Sequence, residues 1–310
     1  MRNRTGALAC LALLLLAVAC SDRPASRDGA DYNRGTHLVL LGTGTPNADP
    51  ERSGAAVAVV VNGAAYLVDA GPGVVRRAAA AANRGITALD VKRLERVFIT
   101  HLHSDHTLGL PDLIFTPWVL ERERPLEAYG PAGLAAMVDH LQVAYHADVQ
   151  RRIEGSQPQN STGHHVNVHP IVTGEVYRDS NVTVTAFPVD HEEWSEAYGY
   201  RFETADRVIV VSGDARPSES VVDACSGCDV LVHEVYSDAG FARRSAEWQR
   251  YHAAAHTSAS ELGKLAARAR PKLLVLYHQL FWGTDPEDLV AEVKQYFDGP
   301  IASGNDLDVF

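Results

Sequence analysis

His101-Leu102-His103-Ser104-Asp105-His106 follows directly on the apolar run Val97-Phe98-Ile99-Thr100. The run reads as a buried strand, and the cluster sits where that strand stops. A loop leaving a strand end can aim closely spaced side chains into one small volume. Imidazole and carboxylate together suit zinc and similar divalent metals. One or two loop histidines are ordinary polar surface; four potential ligands in six residues point to a metal site and, through it, to an enzyme.

Further ligands are sought at other strand ends. Phe187-Pro188-Val189-Asp190-His191, Val210-Val211-Ser212-Gly213-Asp214 and Leu273-Leu274-Val275-Leu276-Tyr277-His278 each deliver one His or Asp after a β-rich segment. Taken alone, each is a weak signal. With the cluster they supply seven ligands, enough for two metals.

The surrounding pattern is mixed α/β. Short segments rich in Val, Ile and Leu predict strands at 37–41, 55–61, 64–69, 95–100, 182–188, 198–203, 207–212, 229–235 and 273–277. Helical spacing fits 73–83, 131–147, 218–225, 258–269 and 285–297. Residues 150–170, rich in Gln, Asn, Ser and His, read as an exposed loop, with His164, His165 and His169 solvated in it. A hydrophobic content of 46% supports one sizeable core. The formal charge is −11 and lysine is scarce, which disfavours long phosphate-backbone partners.

The N-terminus reads as a targeting segment. Arg2 and Arg4 precede an apolar stretch, Leu8 to Val18, too short for an ordinary membrane span. Residues 1–19 are expected to be a signal peptide. Leu16-Ala17-Val18-Ala19-Cys20 resembles a lipobox with Cys20 as the lipidated residue, and Ala17-Val18-Ala19 also suits plain cleavage. The expectation is an exported protein, either a periplasmic lipoprotein held to the membrane through Cys20 or a soluble secreted one. Residues 20–35 read as a flexible tether and 36–310 as the catalytic domain, with an insertion around 118–180. Cys225 and Cys228 lack two further ligands for a zinc knuckle; they form either a disulfide in an oxidising compartment or an incidental pair.

Several motifs run in one order along the chain: Leu41-Gly42-Thr43-Gly44-Thr45-Pro46, Leu67-Val68-Asp69-Ala70-Gly71, the H-x-H-x-D-H cluster, and His191 followed by Tyr198-Gly199-Tyr200. Ser212-Gly213-Asp214, His233-Glu234, Ala255-His256-Thr257-Ser258 and His278 complete the series. This series resembles the metallo-β-lactamase fold superfamily, and within it the ribonuclease Z-like branch, across roughly residues 37–310. The resemblance implies a four-layer αβ/βα sandwich with two Zn2+ at one edge of its sheets, Mn2+ or Fe2+ being alternatives. It implies that His101, His103 and His191 hold one metal. Asp105, His106 and His278 hold the other, and Asp214 bridges. A hydroxide between the metals would be the nucleophile, its water oriented or deprotonated by Asp105. Asp69 supports the ligand loop or is a plain turn residue. His256 would protonate the leaving oxygen, with Glu234 orienting it, whereas His252 is read as non-catalytic.

Two departures argue against precursor tRNA as the substrate. An exported protein does not meet it. The branch also continues after its last ligand with Ser and then Arg-Tyr near the phosphate, whereas here Gln279-Leu280-Phe281-Trp282 follows. Phe281, Trp282 and Trp118 are instead expected to wall a pocket for a small organic group. The resulting expectation is a small phosphodiester or related ester as substrate, no nucleic-acid partner, and a homodimer as one assembly. The alternatives are an arylsulfatase, phosphotriesterase or lactonase on the same centre, or a metal-dependent binding lipoprotein without turnover.

Overall fold

The computed structural model describes residues 31–310. The expected signal peptide, Cys20 and most of the tether lie outside these residues. Two mixed sheets form the centre. The first contains β1 (Thr36–Gly42), β2 (Ala56–Val61), β3 (Ala64–Val68), β4 (Arg96–Phe98), β5 (Leu126–Gly130) and β6 (Val166–Pro170), in that order. The second runs in reverse, from β13 (Ile301–Ser303) through β12 (Leu273–Leu280), β11 (Val230–Tyr236), β10 (Val208–Val211), β9 (Tyr198–Thr204) and β8 (Val182–Pro188) to β7 (Gly174–Arg178). The helices are α1 (Val74–Asn83), α2 (Ser104–Thr107), α3 (Leu110–Val119), α4 (Gly133–Glu154), α5 (Glu219–Cys225), α6 (Asp238–Phe241), α7 (Ala246–Ala255), α8 (Ala259–Ala269) and α9 (Pro286–Lys294).

Side-chain alternation builds the layers. On β1, Leu38 and Leu40 enter the core between the sheets, while Val39 and Leu41 pack outward with α1 and α3. On β2, Val57 and Val59 face inward, and Ala58 and Val60 outward. On β12, Val275 and Tyr277 face the inter-sheet core, and Leu274 and Leu276 meet α8 and α9. The sheets are covered on both faces, which is why their strands read as continuous apolar runs. The result is the expected αβ/βα sandwich.

The segment from 118 to 180 is not looped away from this body. It contributes β5, α4, β6 and β7, and α4 extends through Glu154. The exposed-loop reading of 150–170 therefore holds only between α4 and β6. β6 and β7 are edge strands with half-exposed polar residues, Val166-Asn167-Val168-His169-Pro170 and Gly174-Glu175-Val176-Tyr177-Arg178, so they carry no apolar run to detect. His164 is buried against Trp118, and His169 pairs with Glu127 and stacks on Tyr129, so neither is a solvated loop residue. The end of the tether is also anchored. The Asn62 N–H donates to the Gly35 carbonyl, Tyr32 packs on the first core, and the Thr87 hydroxyl donates to Asn33. Cys225 and Cys228 form a disulfide after α5.

Arg122 locks α3 to its surroundings. Its fully buried guanidinium donates to the carbonyls of Leu94, Leu113, Ile114 and Gly163 at 2.8–3.0 Å. Arg122→Met would strand four buried acceptors. The expected loss of stability is about 3 kcal/mol or more, measured by urea unfolding with the wild-type slope retained; a loss below about 1 kcal/mol would contradict this role.

Candidate metal centre

The ligand-bearing segments leave strand ends that converge on one edge. β4 ends before His101, β8 before His191, β10 before Asp214, and β12 carries His278 near its end. The two sheets are joined here: the Tyr198 N–H donates to the Thr100 carbonyl (3.0 Å) and the Tyr200 hydroxyl to that of Ile99 (2.7 Å).

Local backbone geometry aims the groups. β12 carries a bulge opposite Glu234 and Val235, which pair with Tyr277 and Gln279; His278 is the extra residue, with φ 44°. The bulge turns its ring out of the strand alternation and into the site. Asp69 ends β3 with φ 61°, a conformation that a short acidic side chain tolerates. A Cβ on Gly71 would lie 2.5 Å from the Asp105 carbonyl oxygen, so glycine is required where this turn crosses the ligand loop. Gly213, with φ 65°, is likewise required beside Tyr198 and Thr100.

Two groups of donors result. His103 Nδ1 lies 3.0 Å from Nε2 of both His101 and His191. His191 Nδ1 donates to the Ala255 carbonyl at 2.7 Å, which leaves its Nε2 as a lone pair facing the group. The Trp194 indole N–H points at His103 Nε2 (2.8 Å). In the second group Asp105, His106, Asp214 and His278 are all buried. His106 Nδ1 donates to Asp69 at 2.8 Å, so its Nε2 faces Asp105 (3.5 Å) and Asp214 (3.4 Å). His106 Nε2 and Asp214 Oδ1 are buried without a hydrogen-bond partner. A lone pair set against carboxylate oxygens away from water is unfavourable unless a cation or a proton lies between them. These residues therefore fit divalent metal ions.

The electrostatics agree. Burial opposes charge on His106, but the carboxylates of Asp214 and Asp69 outweigh it and hold its pKa well above the ordinary imidazole value. Burial likewise opposes charge on Asp214, and His278 and His106 overcome it, keeping the carboxyl well below its usual range. Burial pushes His101 well down, helped by His106.

Glu234 and His256 stand beside the second group. Glu234 is fully buried, and its Oε1 accepts from the backbone N–H groups of Ala215 (3.2 Å) and Thr257 (3.0 Å). His256 Nδ1 lies 3.3 Å from Glu234 and 3.8 Å from Asp214, at ion-pair range without an aligned hydrogen bond. Burial works against its protonation, but Glu234 prevails and raises its pKa to about 9. A cavity of about 760 Å³ opens over the centre, lined by His256 and also by Arg244, Trp248, Tyr251, His252 and Trp282.

Of the expected pocket wall, only Trp282 lines this cavity. Trp118 is wholly buried in the first core, its indole N–H donating to the Asn160 carbonyl. Phe281 packs on the helices over the second sheet, beneath the Arg52 guanidinium. The sequence reading missed Arg244, Trp248, Tyr251 and Trp194. Trp248, Tyr251, His252 and His256 are spaced three, four and eight residues along from the first, so a helical face through α7 was the available signal.

This geometry defines a metal-dependent hydrolase. The chain belongs to the metallo-β-lactamase superfamily, in its ribonuclease Z-like branch: residues 65–279 match the family described as the Beta-lactamase superfamily domain. It is 32% identical over 280 residues to the ribonuclease Z of Mycobacterium marinum (strain ATCC BAA-535 / M), covering 87% of this chain and 96% of that protein. The metallo-beta-lactamase fold protein YhfI from Bacillus subtilis superposes with a TM-score of 0.65 at 17% identity, over 89% of this chain and 98% of that one. The short form of human tRNase Z superposes with a TM-score of 0.65 at 23% identity, over 88% and 98%.

Asp69 accepts from the Thr100 N–H (2.8 Å), the Thr100 hydroxyl and His106. Asp69→Ala should weaken zinc binding about 10- to 100-fold in competition with a chromophoric chelator. Unchanged affinity would reduce Asp69 to a turn residue.

Proposed function

We propose that the protein is a dinuclear zinc hydrolase of small phosphodiesters or closely related esters. The observation that carries this reading is the joining of two donor groups to a cavity of small-molecule size, about 760 Å³. His101, His103 and His191 would hold one ion and Asp105, His106 and His278 the other, with Asp214 between. Such ions supply an activated water and stabilise developing oxyanion charge.

The chain's own residues supply the remainder. Glu234 is held by two backbone N–H groups and stands 3.3 Å from Nδ1 of His256, where its charge favours a proton on that nitrogen. Nε2 is then the nitrogen left to hand a proton to the leaving oxygen. The aromatic wall of Trp248, Tyr251 and Trp282 receives the organic part of the substrate and displaces water. Export, with Cys20 as a lipid anchor, is part of the proposal; the residue 1–20 pattern and the Cys225–Cys228 disulfide support it. Precursor tRNA is the second reading, favoured by the relatives named ribonuclease Z. Against it stand the small-molecule size of the cavity, with its aromatic side chains, and the net charge of −11.

Metal analysis of purified protein should find two zinc equivalents, and Asp214→Ala should lose at least one. Two retained at full activity would refute the bridging role. A panel of activated phosphodiesters, phosphotriesters, sulfates, lactones and a precursor tRNA tests the substrate; preferred cleavage of the tRNA would establish the second reading. His256→Ala should lower kcat by about 10²- to 10⁴-fold on poor leaving groups and much less on 4-nitrophenolate. Equal losses would remove His256 from the acid role. Cell fractionation should place the full-length protein with membranes and release Cys20→Ser into the soluble exported fraction; an intracellular wild-type protein would overturn export.

A further inference from the structure

Arg244 stands out among the cavity residues because it is a cation with no anion. It follows α6 and precedes α7, and its guanidinium carbon lies 5.3 Å from the ring centroids of both Trp248 and Trp282. Among the described residues it forms no ion pair, although Glu247 lines the same cavity. Its Nε is buried without a hydrogen-bond partner. A buried polar group left unpaired is costly, and the terminal guanidinium nitrogens, which make no hydrogen bond among the described residues, are left for a ligand.

The two indoles are themselves held in place. Trp282 has φ 46° ahead of Gly283 at φ 87°, and Arg243 donates to its carbonyl at 2.9 Å. Trp282 also packs on Tyr236 and His252. Trp248 stacks on His252 and stays half exposed at the cavity mouth. The guanidinium thus stands on the cavity wall between two indoles before any ligand arrives. A planar guanidinium favours oxyanions that accept two parallel hydrogen bonds.

We propose that Arg244 is the residue that selects substrate charge: it binds an anionic oxygen of the ester, so the enzyme takes a phosphodiester monoanion in preference to a neutral lactone or phosphotriester. The proposal rests on the phosphodiester reading and sharpens it. The assignment comes from geometry on the cavity wall and places no bond-breaking step on Arg244.

The test compares zinc-loaded wild type with Arg244→Gln and Arg244→Lys on bis(4-nitrophenyl) phosphate and on its neutral methyl triester. The two substrates share a leaving group and differ in charge. In Arg244→Gln, kcat/KM on the diester should fall about 10- to 100-fold, the range for one charge-assisted hydrogen bond, mainly through KM. The triester should change less than about 2-fold. Arg244→Lys should recover part of the diester loss, because charge returns without the planar fork. Equal losses on both substrates, or no loss on the diester, would overturn the proposal.

A second readout is independent of turnover. Inorganic phosphate titrated into zinc-loaded wild type should change the fluorescence of Trp248 and Trp282 saturably, with Kd weakened about 10-fold or more in Arg244→Gln. An unchanged Kd would overturn the anion site. Wild type that cleaves neither ester, yet shows phosphate binding dependent on Arg244, would sink the phosphodiester reading while leaving the anion site standing. Matching zinc content and melting temperature in the variants exclude general damage.

Discussion

Asp69 places a carboxylate where water cannot reach, and the candidate metal centre is organised around satisfying it. An ionised carboxylate in such a position needs a full set of donors. It receives the Thr100 N–H and hydroxyl and the Nδ1–H of His106. These contacts set more than position. In the neutral ring, a proton held on His106 Nδ1 leaves Nε2 as a lone pair directed at Asp105 and Asp214, where a cation or a second proton is favoured. The Thr100 hydroxyl, donating to Asp69, is left to accept from His101 Nδ1, so Nε2 of His101 is also a lone pair. One carboxylate therefore orients a ligand in each donor group. The His–carboxylate pairing that fixes a metal ligand's tautomer is here extended through a hydroxyl.

Some of the fold's left-handed backbone positions lie at the same edge. Asp69, His278 and Trp282 are non-glycine residues with positive φ, and Gly213 adopts the same region. Each such residue costs free energy and persists only where its surroundings over-determine it. The over-determination comes from the inter-sheet core directly beneath. There Phe98 contacts Tyr129, Tyr200 and Phe202, and Tyr200 reaches across to the Ile99 carbonyl. The sandwich thus acts as a rigid base from which short, strained loops present ligands.

The candidate donors that the structure brings together were legible in the sequence because they combine a restricted set of residue types with a restricted location, strand ends. His191, Asp214 and His278 could each be found by looking just past an apolar run. The cavity wall had no such code. Trp118 and Trp282 are chemically alike, yet one fills the core and the other faces the cavity, a difference decided by which elements close over them. Edge strands β6 and β7 were invisible for a related reason: half their surface meets water, so their polar residues read as loop. Arg244 carried no signal at all, since an arginine ahead of a helix, here the second of the pair Arg243-Arg244, is ordinary until two indoles are seen beside it.

Charge balance explains why one arginine can matter in so acidic a protein. Four buried carboxylates, Asp69, Asp105, Asp214 and Glu234, surround the centre. Left to themselves they would repel any anionic ester. Two divalent cations, together with the protonated His256 beside Glu234, would offset much of this negative charge. The sign of the field met by a substrate would then be set by what lines the walls. On one side of His252 stands Arg244, and burial together with the neighbouring His256 and Arg244 charges drives the His252 pKa down to about 4, keeping that imidazole neutral. Arg244 is therefore a positive charge of the wall alongside His256, in a cavity that Glu247 also lines, and its partly desolvated setting is one where a charge acts more strongly than at the surface. Recognition of an anion at this site is a local property, and the net charge of −11 bears on long polyanions far more than on a small ester inside the cavity.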